Sequence, residues 1–182
     1  MLQITIPLGL EEYDESSQEF ICPETATLNL EHNLISISKW ESKWCKSFLS
    51  KNEKTLEETI DYIRCMTLDS EHVDPAIYGY LTNDHIIQIN KYIEAPMTAT
   101  HFSDTQKGKG SREVITSELI YYWMIALTIP LECQYWHLNR LLTLIRVCEI
   151  KNSPPKKMSK GEIARRNAEL NAARRKQLNT KG

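Results

Sequence analysis

The feature that most constrains the fold is a pair of apolar segments in the C-terminal half, separated by one proline. Apolar side chains cover much of the helical circumference over residues 111–128, and they recur at steps of three and four over residues 134–150. Pro130 ends the first segment, because proline cannot continue a helix. Two apolar helices joined by a short connection predict an antiparallel helical hairpin at the centre of the domain.

The first 31 residues follow a period of two instead. Leu2, Ile4 and Ile6 alternate with polar neighbours, residues 19–22 form a short second run, and residues 26–30 repeat the alternation. This pattern predicts a small N-terminal β-hairpin or sheet. Residues 98–102 predict one more short strand.

Helical periodicity begins at Asn33. Ile37, Trp40, Trp44 and Phe48 follow at steps of three and four, so they share one helix face. Aromatic residues at this spacing most often belong to a core. The alternative is a docking ridge, since tryptophan is frequent at interaction hot spots, and Trp40 and Trp44 are therefore candidate partner-binding residues.

Further helices are predicted by their start signals. Thr55 and Glu58 have the spacing of a capping box, Asp74-Pro75 starts a short helix through residue 80, and Thr82 or Asn83 caps the next one. The predicted fold class is α+β, mainly α: a small N-terminal β-hairpin or sheet, a helical domain with a central antiparallel helical hairpin, and a basic C-terminal helical tail.

Charge divides the chain into two parts. Residues 1–150 carry twelve Lys or Arg against twenty-two acids, a net −10, whereas residues 151–182 carry ten against two, a net +8. Pro154-Pro155 interrupts any helix between them. We therefore predict a compact acidic domain over residues 1–151 (β-rich over 1–31, helical over 33–151), a linker over 152–158, and a basic helical or disordered tail over 159–182.

The tail is the main candidate for partner binding. Its cations could contact an acidic protein surface, the acidic body, a second copy of the chain, or nucleic acid. Nucleic acid ranks second, because the tail has no aromatic side chain to stack on bases and the body is acidic. A tail that serves only solvation is the remaining alternative. The candidate residues are Lys156, Lys157, Lys160, Arg165, Arg166, Arg174, Arg175 and Lys176.

No pattern predicts catalysis, a metal site or a cofactor. The five cysteines are widely spaced without a CxxC pair, and the five histidines form no ligand cluster. Cys133 and His137 lie one helical turn apart, but a single pair lacks the further ligands or orienting groups that such sites need. Gly108-x-Gly110 lacks both the P-loop ending and the dinucleotide-binding spacing. An enzyme is the least favoured class.

Neither secretion nor membrane insertion is expected. The N-terminal residues lack a positively charged segment followed by a continuous apolar run. The longest apolar stretch, residues 119–131, is well short of the ~20 residues that cross a bilayer. We expect the chain to stay in the cytoplasm.

One family resemblance rests on specific segments. YYWMIALTIPLEC (121–133) and WHLNRLLTLIRVC (136–148) resemble tail assembly chaperones of siphophages and prophages of Firmicutes, as do SKWESKW (38–44), DYIRCM (61–66) and PPKKMS (154–159). The resemblance implies a non-catalytic factor in the host cytoplasm that binds the tape measure protein, with the tail tube protein as a further partner. Such chaperones often occur in a short form and a frameshifted long form. A virion structural protein of the tail or head–tail junction is the alternative within the same gene cluster.

Overall fold

The computed structural model describes residues 1–9, 12–14, 16, 18–21, 24–102, 114–153 and 160–179. The chain divides into two compact units, Met1–Glu149 and Ile150–Gly182. The strands are β1 (Leu2–Pro7), β2 (Glu12–Asp14), β3 (Glu19–Ile21) and β4 (Thr25–Leu30). The helices are α1 (Leu34–Trp44), α2 (Leu56–Met66), α3 (Asn83–Glu94), α4 (Ser117–Ala126), α5 (Leu138–Asn152) and α6 (Lys160–Leu178). Short 3₁₀-helices span Ser70–His72, Pro75–Tyr80 and Leu131–Tyr135.

The predicted fold class, α+β and mainly α, is confirmed. β1 pairs with β4 in antiparallel register, with Ile4 opposite Leu28 and Ile6 opposite Ala26. β2 pairs with β3 in a second antiparallel ladder. Because side chains alternate between the faces of a strand, the apolar set of β1 and β4 turns inward to the core, as the period of two predicts.

The helices begin where the capping signals predict. The Thr55 hydroxyl accepts the N–H of Glu58 while the Glu58 carboxylate accepts the N–H of Thr55. Thr82 and His85 form the same reciprocal arrangement at the start of α3. These side chains satisfy backbone donors that have no partner within the helix, and so they fix the first residue of each helix.

Some of the predicted elements differ from the structure. Residues 98–102 form no strand. The helix predicted over residues 111–128 is shorter, because Thr116 caps α4 and residues 114–116 are not helical. Residues 103–113, which include Gly108-x-Gly110, lie outside the described part of the chain.

The two apolar helices both enter the core, although their connection is longer than a tight turn. Ile120 and Met124 of α4 and Leu141 of α5 are buried in the same cluster. The 3₁₀-helix Leu131–Tyr135 lies between the two helices in sequence. The closest helical neighbour of α4 is α1, which also packs against α2 and against this 3₁₀-helix.

A buried carboxylate joins three segments around α1. Glu41 is buried, and one of its oxygens accepts the N–H of Phe48 at 2.7 Å while the other accepts the N–H of Ser117 at 2.7 Å. Ser117 is the first residue of α4, so the carboxylate also meets the positive end of that helix dipole. Glu41 therefore fixes the turn after α1 and the start of α4 relative to one another.

We predict that Glu41→Ala lowers the free energy of unfolding by about 1–3 kcal/mol, because two backbone donors lose their acceptor. Urea denaturation measures the change. Glu53→Ala, at an exposed loop position, is the matched control and should stay within about 0.5 kcal/mol of the original protein. Equal changes in the free energy of unfolding for both substitutions would show that the Glu41 hydrogen bonds do not stabilise the fold.

The division into two units leads to a truncation experiment. Every buried apolar residue of the described core lies within residues 1–149, and α6 has no buried side chain. We predict that a chain ending at Asn152, which keeps α5 whole, unfolds in one cooperative urea transition with nearly unchanged stability. A broad, non-cooperative transition would place the domain boundary elsewhere.

Candidate protein-binding surfaces

The basic helix α6 presents its cations to solvent. Its sequence is rich in Ala, Arg and other good helix formers, Glu162 lies in its first turn and Lys176 in its last, and this arrangement complements the helix dipole. Ile163 and Leu170, seven residues apart, form a narrow exposed apolar stripe. The candidate residues Lys160, Arg165, Arg166, Arg174, Arg175 and Lys176 are all exposed on α6. Lys156 and Lys157 lie outside the described residues.

The two candidate tryptophans lie between α1 and α2. Trp40 is 1% exposed and donates its indole N–H to the Glu58 carbonyl at 2.8 Å, so it contributes to the core rather than to a surface that a partner reaches. Trp44 is half-buried and donates to the Asp61 carboxylate at 2.9 Å. Lys43 also pairs with Asp61. These indole groups thus serve to hold the two helices together.

An exposed apolar surface occurs where the sequence predicts core. Tyr122 and Ile125 lie one turn apart on α4, and Leu131 and Tyr135 belong to the following 3₁₀-helix; all four are more than half exposed. We call these four residues the α4 apolar surface. Trp123, on the same helix, is half-buried.

A side-chain hydrogen bond connects the two elements that carry this surface. The Tyr121 hydroxyl donates to the Gln134 side-chain oxygen at 2.9 Å, which holds α4 beside the 3₁₀-helix. Glu118 and Glu132 are exposed on the same two elements. These two elements therefore carry exposed apolar and acidic side chains together, a composition typical of protein interaction sites.

Sequence reasoning missed this surface because it treated every apolar position of α4 as core. A signal was present: apolar residues occupy most of the helix circumference, whereas a helix at the edge of a core buries only one stripe. Ile120 and Met124 form that buried stripe. The remaining apolar residues therefore had to be either a second buried face or an exposed surface, and the tertiary structure leaves them exposed.

Cys133 and His137 have structural contacts of their own. Cys133 is buried, and burial raises the pKa of its thiol. The Asn139 N–H donates to His137 Nδ1 at 3.3 Å, so the ring proton is on Nε2, which donates to the Tyr92 carbonyl at 3.1 Å. Across the described residues, no three His, Cys, Asp or Glu side chains form a group suited to a metal ion.

Two arginines of the mainly apolar helix α5 lie over aromatic rings. The guanidinium of Arg140 lies 4.0 Å from the centre of the Trp136 ring, and that of Arg146 lies 4.2 Å from the centre of the Phe102 ring. Such cation–π contacts stabilise side chains at the edge of a core. Both arginines therefore have intramolecular partners.

His32 lies at the centre of a buried aromatic cluster. Its Nδ1 is 2.5 Å from the Tyr62 hydroxyl, and its ring meets the His137 ring edge-on at 5.0 Å. Burial, and secondarily the neighbouring His137, lowers the pKa of His32 from 6.5 to about 3. Burial raises the pKa of Tyr62, so its hydroxyl stays protonated and donates a hydrogen bond to Nδ1 of the neutral His32 ring.

No helix within the described ranges is both long enough and apolar enough to cross a bilayer. Comparison with protein-family models, curated proteins and solved structures finds no match to this chain.

The lowered pKa of His32 predicts that acid destabilises the fold. The unfolded chain takes up a proton near pH 6.5, but the folded chain does so only near pH 3, so stability is full above pH 6.5 and falls as the pH drops towards 3. Urea denaturation at several values between pH 7 and pH 5, where most carboxylates stay ionised, measures this slope.

The variant His32→Asn is the control, since its amide oxygen replaces Nδ1 as an acceptor but does not titrate in this range. We expect it to be less stable at pH 7 and to show a smaller decline on acidification. An identical pH slope in both proteins would exclude His32 as the source.

Proposed function

We propose that this chain is a non-catalytic binding protein of the tail assembly chaperone class, which holds a phage tape measure protein during tail assembly. The observation that carries the proposal is the α4 apolar surface, because it exposes two tyrosines and two branched aliphatic side chains on two consecutive elements. Three of these residues, Tyr122, Ile125 and Leu131, lie in the segment 121–133 on which the family resemblance partly rests.

The chemistry of this surface suits a helical protein partner. Tyrosine provides a large apolar contact at low conformational-entropy cost and keeps a hydroxyl for hydrogen bonds. Ile125 and Leu131 add aliphatic area without polar groups that would need partners. A long helical protein with apolar faces gains by covering them at such a patch, and its own faces are thereby protected from aggregation.

The basic helix α6 provides a second contact of different chemistry. Its exposed cations attract acidic segments of a partner, and its stripe of Ile163 and Leu170 is too narrow to form a core alone. Two modules that bind one partner raise the effective concentration of the second contact. The contact through α6 should weaken with salt, whereas the contact through the α4 apolar surface should change little.

A nucleic-acid-binding accessory function is the second candidate. It rests on the exposed cations of α6, which would neutralise phosphates without specific geometry. The acidic charge of residues 1–150 opposes it. A protein partner is favoured because the α4 apolar surface would have no role in phosphate binding.

Co-expression with the tape measure protein of the same phage or prophage tests the proposal. The full-length chain should keep that protein in a soluble complex that survives nuclease treatment. The double substitution Tyr122→Ser, Ile125→Ser should weaken the complex at least about tenfold, since central aromatic and aliphatic contacts dominate such interfaces. Tyr80→Ser, an exposed tyrosine outside the α4 apolar surface, is the matched control and should have no effect.

Neutralising Arg165, Arg166, Arg174 and Arg175 to Gln should weaken the complex at low salt and matter less at high salt. The chaperone should also be missing from finished phage particles, which separates this function from that of a virion structural protein. The proposal would be contradicted if the chain co-purified with nucleic acid alone, if that complex dissociated at moderate salt, and if the Tyr122→Ser, Ile125→Ser substitutions did not change its affinity.

A further inference from the structure

A small apolar cavity lies between α2 and α3. Its volume is about 190 Å³. Four isoleucines and two aromatic rings form most of its wall: Ile63, Ile86, Ile89, Ile93, Phe48 and Tyr62. Its polar lining residues besides Lys54 are Tyr62, whose hydroxyl is hydrogen-bonded to His32, Thr59, whose hydroxyl donates to the Thr55 carbonyl, and the exposed Asn90.

One cation stands at the edge of this cavity. Lys54 lines both the cavity and a neighbouring cleft of about 260 Å³. Its ammonium lies 4.3 Å from the centre of the Phe48 ring and 5.9 Å from the centre of the Trp40 ring. The side chain is half-buried.

Lys54 differs from the other lysines near α1. Lys43 pairs with Asp61 and Lys46 pairs with Glu58, so each of these two lysines has a carboxylate partner. Within the described residues, the Lys54 ammonium forms no direct hydrogen bond or ion pair; it contacts two aromatic rings and interacts more weakly with the Glu58 carboxylate, which is paired with Lys46. A partly desolvated ammonium without a directly bonded anion can bind one.

The size of the cavity limits what can enter. At roughly 30 Å³ per water-sized group, a volume of about 190 Å³ holds roughly six such groups. That is smaller than the ~300–1,000 Å³ typical of drug-sized ligands, and so it is too small for a nucleotide. An apolar wall with one cation at its edge matches a ligand that has a short apolar tail and a single negative group.

We propose that this cavity binds a short-chain aliphatic monocarboxylate, with its hydrocarbon tail among the isoleucines and its carboxylate on the Lys54 ammonium. The cavity shares no lining residue with the α4 apolar surface or with α6. It adds a small-molecule ligand to the protein-binding function proposed above, and neither proposal depends on the other.

The electrostatics of Lys54 agree with this geometry. Burial lowers the pKa of Lys54, and the opposing effect of Glu58 is smaller. A bound carboxylate would favour the ammonium form, so the affinity should fall as the pH rises and Lys54 loses its proton. The other titratable groups that line the cavity or the neighbouring cleft are Glu53, Glu58, Lys46 and Tyr62, and Glu58 and Lys46 are paired with each other.

Titration of the full-length protein with hexanoate, followed by the methyl NMR signals of isoleucine, tests the proposal. The signals of Ile63, Ile86, Ile89 and Ile93 should shift in a saturable manner, while those of the distant core residue Ile145 stay in place. Lys54→Met, which keeps the apolar stem, should weaken hexanoate binding about tenfold, the loss of roughly one ion pair. Lys51→Met, at an exposed position nearby, should bind like the original protein.

Two further titrations complete the test. Hexan-1-ol, which lacks the charge, should bind the original protein and Lys54→Met equally. Raising the pH should weaken hexanoate binding to the original protein only. The proposal would be overturned if hexanoate caused no saturable shifts, or if it bound Lys54→Met and the original protein with equal affinity. It would also be overturned if the signals shifted only with a peptide that carries an apolar side chain beside a glutamate, because the ligand would then be a protein segment.

Discussion

The buried Glu41 carboxylate is the interaction on which the arrangement of the helices depends. It lies on α1, the helix that packs against α2, α4 and the 3₁₀-helix Leu131–Tyr135, and it accepts backbone donors from Phe48 and Ser117. A carboxylate removed from water is costly unless its oxygens are hydrogen-bonded. Because both donors come from outside α1, the carboxylate is satisfied only when the later segments are in place.

Polar groups on α2 also hold α1 in place. Trp40 and Trp44 donate to Glu58 and Asp61, and the same two acids pair with Lys46 and Lys43. Fully paired polar groups of this kind specify one arrangement of two helices, whereas apolar contacts alone tolerate several. Both indole groups therefore have partners within the protein. The apolar residues available for contact with another protein are instead those of the α4 apolar surface, and the exposed cations of α6 offer a second kind of contact.

Several local features followed from sequence because their causes are local. The capping box at Thr55, the alternation in β1 and the helix formers of α6 each depend on residues that are close in sequence, so a short stretch of sequence suffices to predict them. The shorter span of α4 was not predictable in this way. Its start depends on Glu41, seventy-six residues away in sequence, whose role is invisible without the fold.

The sequence by itself determined the fold class, the starts of α2 and α3 and the separation of an acidic part from a basic part, because periodicity, capping and charge are properties of the chain order. The tertiary structure decided which apolar residues are exposed and which ionisable groups lack partners. It left Tyr122 and Ile125 at the surface, and it paired the Glu58 carboxylate with Lys46 instead of Lys54. The physical reason is that burial and pairing depend on neighbours from distant segments, and only the packed chain brings those neighbours together.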